Sequence, residues 1–450
     1  MLRLLSALFG PFSLFCGLAL GLLFRYIPPP SFWYWLAAGG LLVLGAFAIG
    51  RSHGWRWATL GSSLAIAVSL LWPLWPHGCL GDSRVRTGKL LSEVEVQVTD
   101  DLRQGTFATR RTLQVLPGFQ VSLFATGLGA PRMLAFSPAG DLYVSLPRDG
   151  MVAVLPDRNR DGLADRRIDF ATGLDRPHGL TFAGVDLVVA ENSRLLRLRD
   201  SDGDLQADGI KVLTSDLPGG GGHWTRSVVR GEKGDFLVSA GSSCNACIEK
   251  DSRRAAVLAI PASGGAAVLF GRGLRNSVGL AIDPLRGELW GSDNGRDMLG
   301  DDLPPDEINQ IVAGGDYGWP YCYGEQVPDP ELGSARRCRE TLAPAVAIPA
   351  HSAPLGITFG TGFAAPQPFR EMLYVALHGS WNRSVPTGYK LIGIPFRDAR
   401  PAGAPRDVIR GWLQEGTAWG RPVAPAIGPD GALYLSDDRS GAIYRITFKE

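Results

Sequence analysis

The chain has 450 residues, with 45 Lys or Arg against 44 Asp or Glu, and a formal net charge of +1. No long basic or acidic run occurs, so the electrostatic footprint of a nucleic-acid partner is missing. The 58 glycines and 32 prolines are dispersed between apolar runs, a pattern of many turns joining short strands and not of disorder.

Residues 1–80 read as a membrane anchor. Segments 4–24, 32–49 and 57–76 are almost wholly apolar, each about 18–21 residues, close to the span of a bilayer core. Trp33, Trp35, Trp55, Trp57, Trp72 and Trp75 gather at the edges of the second and third segments, as an interfacial aromatic belt does. Arg25 stands alone in the first short loop, whereas Arg51 and Arg56 share the second. The positive-inside rule then places the second loop in the cytoplasm and everything after Trp75 outside. The expectation is a multi-pass inner-membrane protein whose main domain faces the periplasm. Arg84, Arg86 and Lys89 oppose that orientation, and a signal peptide over residues 1–24 is the competing reading. Residues 81–112 are polar and aperiodic, and read as a linker.

From residue 113 to 450 one theme recurs: an apolar strand, a Pro/Asp/Gly turn, then a second strand. It occurs as MLAFSPAGDLYVSL from Met133, GLTFAGVDLVVAE from Gly179, SVVRGEKGDFLVSAG from Ser227 and GLAIDPLRGELWGSD from Gly279. It returns with a longer turn from Gly356 and as APAIGPDGALYLSDD from Ala424. Most copies are followed by a third alternating strand, such as GMVAVLP or GAIYRITF. Alternation places every second side chain on one sheet face, and a spacing of about 46–52 residues suits one propeller blade. Six copies predict an all-β, six-bladed β-propeller, with inserted loops at 297–350 and 397–420. A β-sandwich does not explain six copies of one unit.

Two turns invite a calcium reading. DRNRDGLAD sets Asp157, Asn159, Asp161 and Asp165 at alternating positions, and DSDGDLQAD repeats this with Asp200, Asp202, Asp204 and Asp208. Hard oxygen ligands at such spacing can wrap Ca²⁺, but an EF-hand needs Glu at its twelfth position, where Ile168 and Lys211 stand. The alternative is a solvated turn. Cys322 and Cys338 share a Gly/Pro-rich insertion that a disulfide can close in an oxidising compartment. Cys244 and Cys247 form a CxxC with no second CxxC for zinc and no following His for haem, leaving a local disulfide or buried thiols.

Candidate chemistry lies on loops leading into and out of the repeats. His223 follows four glycines and precedes Trp224 and Arg226; Arg275 and Asn276 precede the fourth repeat. GSDNGRD follows that repeat's second strand, His378, Trp381, Asn382 and Arg383 follow the fifth's, and Arg421 precedes the sixth. Arginines, histidines and aromatics at one mouth suit a planar polyanion, because Arg bonds carboxylates bidentately and aromatics offer flat contact area.

From about Pro117 to the C-terminus the chain resembles the soluble-type PQQ-dependent sugar dehydrogenases, most closely the sorbosone dehydrogenase-like branch. The resemblance is carried by GHWTRSVV, GLRNSVGLA, GSDNGRDMLGDDLPPDEIN, GGDYGWPYCYG and ALHGSWNRSVPTGYK. It implies pyrroloquinoline quinone (PQQ) over the central channel with calcium beneath it. A sugar carbinol or hydrated aldehyde would give hydride to the quinone, and a quinone or soluble carrier would take the electrons. His223 matches the general base, a role suited to imidazole. Arg275 and Asn276 match the cofactor-contacting pair, and His378, Arg383 and Arg421 fall near contacts to the cofactor carboxylates. His178 and Trp381 fall at the substrate end. The carbonyls of Gly295 and Arg296 match the catalytic-calcium pair, and Asp306, Glu307 and Tyr317 match ligands of a structural calcium. Three departures stand out. Arg296 replaces Pro, His378 replaces Lys, and Ser242 stands where an Asp would orient the base.

Two other functions fit a propeller. A calcium-dependent lactonase-type hydrolase would gather Glu191, Asn192, Asp293 and Asn294 around one ion, leaving the arginines without a purpose. A non-catalytic binding propeller would be a relative that lost its cofactor.

Overall fold

The computed structural model describes residues 91–449. The three apolar segments at 4–24, 32–49 and 57–76 lie outside the described residues. Among the described residues no helix is long and apolar enough to cross a membrane, and nearly all regular structure is strand. The inner-membrane, periplasm-facing placement is therefore corrected and not carried forward.

The described residues form an all-β propeller. Five sheets have four strands and one has seven. The inner strands are Leu134–Phe136, Gly179–Ala183, Val228–Arg230, Ser277–Ile282, Pro354–Phe359 and Pro422–Ile427. Each contacts the next, and the last returns to the first. They surround a central cavity of about 530 Å³. The six sequence repeats supply the inner two strands of these sheets. The fifth repeat, however, belongs to the seven-stranded sheet, so five sheets keep the simple four-stranded form.

Turn chemistry and alternation explain the unit. In the first repeat Ser137 N donates to Asp141 O at 2.9 Å and Gly140 adopts φ 93°, a conformation glycine reaches without a Cβ penalty. The second strand, Leu142–Leu146, is buried along its whole length. A serine recurs in the second strands and joins neighbours. Ser145, Ser239, Ser292 and Ser436 each accept the N–H of an inner-strand or preceding residue at 2.9–3.1 Å. Ser292 and Ser436 also donate to Leu355 O and Arg132 O of the following sheet, both at 2.5 Å.

The N-terminal part of the domain closes the structure. Phe119–Ala125 forms the outer strand of the sixth sheet, in register from Phe119↔Phe448. Ser92–Glu95 and Thr112–Val115, expected to be linker and its margin, pair with each other and extend the fifth sheet through Gln114↔Arg410. Phe107 is fully buried edge-on to Trp419 and Tyr444. The insertion at 297–350 carries the third and fourth strands of the fourth sheet, Asp306–Ile311 and Val346–Ile348, and is closed by the Cys322–Cys338 disulfide.

Candidate active site

In an antiparallel meander, the loop entering an inner strand and the loop leaving the second strand lie at the same sheet end. His178, His223, Arg275, Asn276 and Arg421 enter inner strands; Gly295, Arg296, His378, Trp381 and Arg383 leave second strands. All therefore reach one face. Tyr317 follows the third strand of its sheet, its N–H donating to Arg272 O at 2.9 Å and its ring turned back to the end of that strand. Its hydroxyl donates to Gln310 O at 2.5 Å and accepts from Val312 N at 3.0 Å, so it is engaged with backbone and not with a metal.

His223 is the best-defined group. Its Nδ1 lies 3.0 Å from Ser242 O and 2.9 Å from Ser242 Oγ. The carbonyl can only accept, and the hydroxyl already donates to Cys244 O at 2.7 Å. Both force the proton onto Nδ1 and leave the Nε2 lone pair for a proton from outside. Burial, then the positive Arg275, pulls the imidazole down to about 4, so it is neutral at ordinary pH with its Nε2 lone pair unprotonated. Gly241 permits this arrangement, because a Cβ there would stand 2.6 Å from both Asn276 Oδ1 and His223 Cβ.

Arg275 is buried and fully engaged. Its Nε and Nη2 donate to Asn245 O and Oδ1 at 2.9 and 2.8 Å, Nη2 also to Asp297 Oδ2 at 3.2 Å. Nη1 donates to Asn294 O at 3.1 Å and Gly295 O at 2.7 Å. The Gly295 carbonyl expected to hold calcium thus faces a guanidinium. The Arg296 side chain is buried against Asp329 and Glu331 at 2.7 and 2.8 Å. Asp306 accepts from Gly295 N and Ala353 N, and Glu307 from Gly324 N and Asn309 Nδ2. Burial raises Asp306 to about 7 and Glu307 to about 8. Neither belongs to a three-residue cluster that could hold a metal among the described residues. Asp200, Asp202 and Asp208 do form one, mostly exposed. Cys244 and Cys247 are joined as a local disulfide.

The remaining candidates divide. His178 is fully buried, with Nδ1 on Arg226 O at 3.3 Å and its ring edge-on to Trp224. Its Nε2 has no partner, and neither does Asn276 Oδ1. His378 Nε2 donates to Asp438 at 2.8 Å, and burial pulls it down to about 4 against that bond, so it offers no cation. Burial would raise Asp438, but His378 and Arg132 hold it well below the usual carboxylate range. Arg421 donates through Nε to His378 O and Nη2 to Gly379 O, leaving Nη1 free. Arg383 turns toward Asp301 and Asp302 and does not join Arg421. Trp381 is 71% exposed.

Sequence reasoning missed Arg132, Arg148 and Arg176. With Trp224 and Asp438 they line a cavity of about 370 Å³ on the same face. Their only signal was position at loop mouths, because each alone reads as a solvated arginine.

A family model described as TrAA12-like matches residues 113–449. A pyrroloquinoline quinone-dependent pyranose dehydrogenase of Coprinopsis cinerea is 25% identical over 75% of this chain, which spans 55% of that protein's length. A pyrroloquinoline quinone-dependent sugar dehydrogenase of Hypocrea jecorina is 23% identical over 73% of this chain and 87% of that one. The structure of a Trichoderma reesei family AA12 protein overlays with a TM-score of 0.66 at 22% identity, covering 75% of this chain and 98% of that one.

Proposed function

This chain belongs to the TrAA12-like family, and from that membership and the site geometry we propose that it is a PQQ-dependent dehydrogenase oxidising a sugar, aldose or related aldehyde hydrate. The seven-stranded sheet counts in this reading as the sixth blade, enlarged by N-terminal strands. The observation that carries the proposal is His223, a neutral imidazole with its tautomer set and its Nε2 open.

The donor set fits PQQ. Asn276 Oδ1 and His178 Nε2 are buried and unpartnered, which costs free energy unless a ligand completes them. Arg132, Arg148, Arg176 and Arg421 supply charge for carboxylates, and Trp224 an aromatic edge. When bound, PQQ supplies a two-electron acceptor for the sugar carbinol. His223 Nε2 takes the hydroxyl proton, His178 Nε2 accepts from a substrate hydroxyl, and Asn276 orients the cofactor. A quinone or soluble carrier serves as final electron acceptor. Calcium does not fit at Gly295, where Arg275 already provides the positive charge.

The lactonase reading is disfavoured. Glu191 accepts from Asp175 N and Arg194 Nε, Asn192 bonds Trp224 O and Gly220 N, and Asp293 accepts from Asn276 N and Ser277 Oγ.

The test is PQQ titration followed by absorbance, then a sugar and aldehyde panel with an artificial acceptor. Binding with dye-linked turnover is expected, and His223→Ala should lower kcat by about 10²–10⁴-fold. A His223→Ala enzyme as active as the parent would refute the assigned base; lactone hydrolysis without PQQ would favour the hydrolase.

A further inference from the structure

Four glycines, Gly219 to Gly222, lead into His223, and all four are exposed. Gly220 and Gly221 take φ 73° and 81°, the left-handed region that favours glycine. A run of this kind has more backbone entropy to lose on ordering than other sequences. Unrestrained, it presents His223 in many poses. Here its backbone is held almost residue by residue.

Arg226 and Arg254 do most of the holding. Arg226 is fully buried; its Nη1 donates to His223 O at 3.1 Å and Thr225 O at 2.7 Å, and its Nη2 to Pro218 O at 2.5 Å. Arg254 is buried on the loop before the Ala256–Ile260 strand. Its Nη2 donates to Gly219 O and, at 2.6 Å, to Gly220 O, while Nη1 donates to Gly241 O at 3.2 Å. Asn192 accepts from Gly220 N and donates to Trp224 O, both at 3.0 Å. Gly222 N and His223 N donate to Ser243 O and Ser242 O at 2.9 and 3.3 Å. A guanidinium suits this task because its rigid fork reaches several carbonyls at once.

Among the described residues neither guanidinium pairs with a carboxylate; all their bonds go to backbone oxygens. Asp251, which acts on Arg254 at longer range, is taken by Arg253 at 2.8 Å. Burial, then Arg254, pulls Arg226 down to about 10, still a cation at neutral pH. Neutral amides would cap the same carbonyls without the cost of burying charge, so the charge has a second consequence. The charged groups acting on the His223 imidazole are Arg275, Arg226 and Arg254, with no carboxylate among them. His178, whose Nδ1 lies on Arg226 O, is fully buried and held neutral.

We propose that Arg226 and Arg254 are positioning residues for His223, clamping the glycine run so that the imidazole is presented in a single pose. The proposal rests on the dehydrogenase reading for its consequence in turnover, though not for the ordering of the loop. The same two charges oppose a second proton on the ring.

The test uses the full chain with Arg254→Met and Arg254→Lys. In cofactor-free protein, amide hydrogen exchange at Gly220, Gly222 and His223 should quicken about tenfold or more in Arg254→Met, while the Phe236–Ala240 strand keeps its parent rates. By ¹⁵N NMR the His223 imidazole of Arg254→Met should titrate about half a unit or more above the parent. Arg254→Lys keeps the charge and loses the fork, so it should restore the titration and leave the exchange fast. With PQQ and an artificial acceptor, both variants should lose about tenfold or more in kcat, with KM and PQQ affinity within about threefold of the parent. Glycine amides as slow in Arg254→Met as in the parent would overturn the proposal, as would an unchanged kcat despite faster exchange. Should Arg254→Met not fold, exchange and kcat in Arg254→Lys decide. If PQQ does not bind at all, the dehydrogenase reading fails, and exchange and NMR in cofactor-free protein decide the clamp.

Discussion

Placing a carboxylate beside His223 tests how this chain manages without one. Ser242 is fully buried, and its Oγ lies 2.9 Å from His223 Nδ1. In Ser242→Asp the new charge sits about 4 Å from the imidazolium, where two unit charges attract by about 4 kcal/mol at an effective dielectric constant near 20. At about 1.4 kcal/mol per pKa unit this raises the imidazole by about 3 units, or about 1.5 if half is lost to desolvating the new carboxylate. The starting value is about 4. His223 must be neutral to accept a proton, so activity rises with pH through its pKa. The parent enzyme should therefore hold kcat/KM flat from pH 5 to 8, and Ser242→Asp should shift the acid limb to about 5.5–7. The assay is the pH profile of kcat/KM, paired with ¹⁵N NMR of the imidazole in cofactor-free protein. Ser242→Asn, of the same shape without the charge, should leave the limb in place. A parent acid limb above pH 6, or an Nε2–H tautomer in the parent spectrum, would refute the reasoning.

Arg275→Met strands acceptors on Asn245, Asn294, Gly295 and Asp297, and should cost about 3 kcal/mol or more in denaturant unfolding; a loss under 1 kcal/mol would contradict its structural role. Because Arg275 covers the Gly295 carbonyl, chelator-treated protein should bind PQQ within about twofold of untreated protein, and strict dependence on added Ca²⁺ in an absorbance titration would show that the arginine moves aside. Opening Cys322–Cys338, sequence separation 16, by Cys322→Ser with Cys338→Ser should lower stability by about 2–3 kcal/mol with little change in PQQ affinity, whereas a lost cofactor site would tie the insertion to the mouth.

What the sequence could show depended on how local the information was. The repeats were legible because a strand, its turn and its partner lie within about fifteen residues, and alternation with a Gly or Asp turn leaves one arrangement. Seven strands in one sheet were not legible. Gln114 pairs with Arg410, and no local pattern reports a partner nearly three hundred residues away. Motif resemblance picked out His223, Asn276, His178 and Arg421, which the strand order brings to one sheet end because each immediately precedes or shortly leads into an inner strand. It could not tell that Arg383 turns to Asp301 and Asp302, or that Arg275 is fully enclosed, because those outcomes depend on which acceptors from other loops arrive first.

The CxxC loop shows why the site is more than its motif residues. Cys244 O holds the Ser242 hydroxyl, so that the oxygen lone pairs face His223. The next residue, Asn245, receives Arg275 through its backbone and side-chain oxygens. The Cys244–Cys247 disulfide therefore braces both the group that orients His223 and the residue that anchors the buried guanidinium. That guanidinium is, after burial, the main reason His223 stays deprotonated. An Asp at position 242 would make a stronger base and need it. Here two neutral acceptors and a nearby positive charge give the same tautomer with a lower pKa, which would keep the proposed base unprotonated in mildly acidic surroundings.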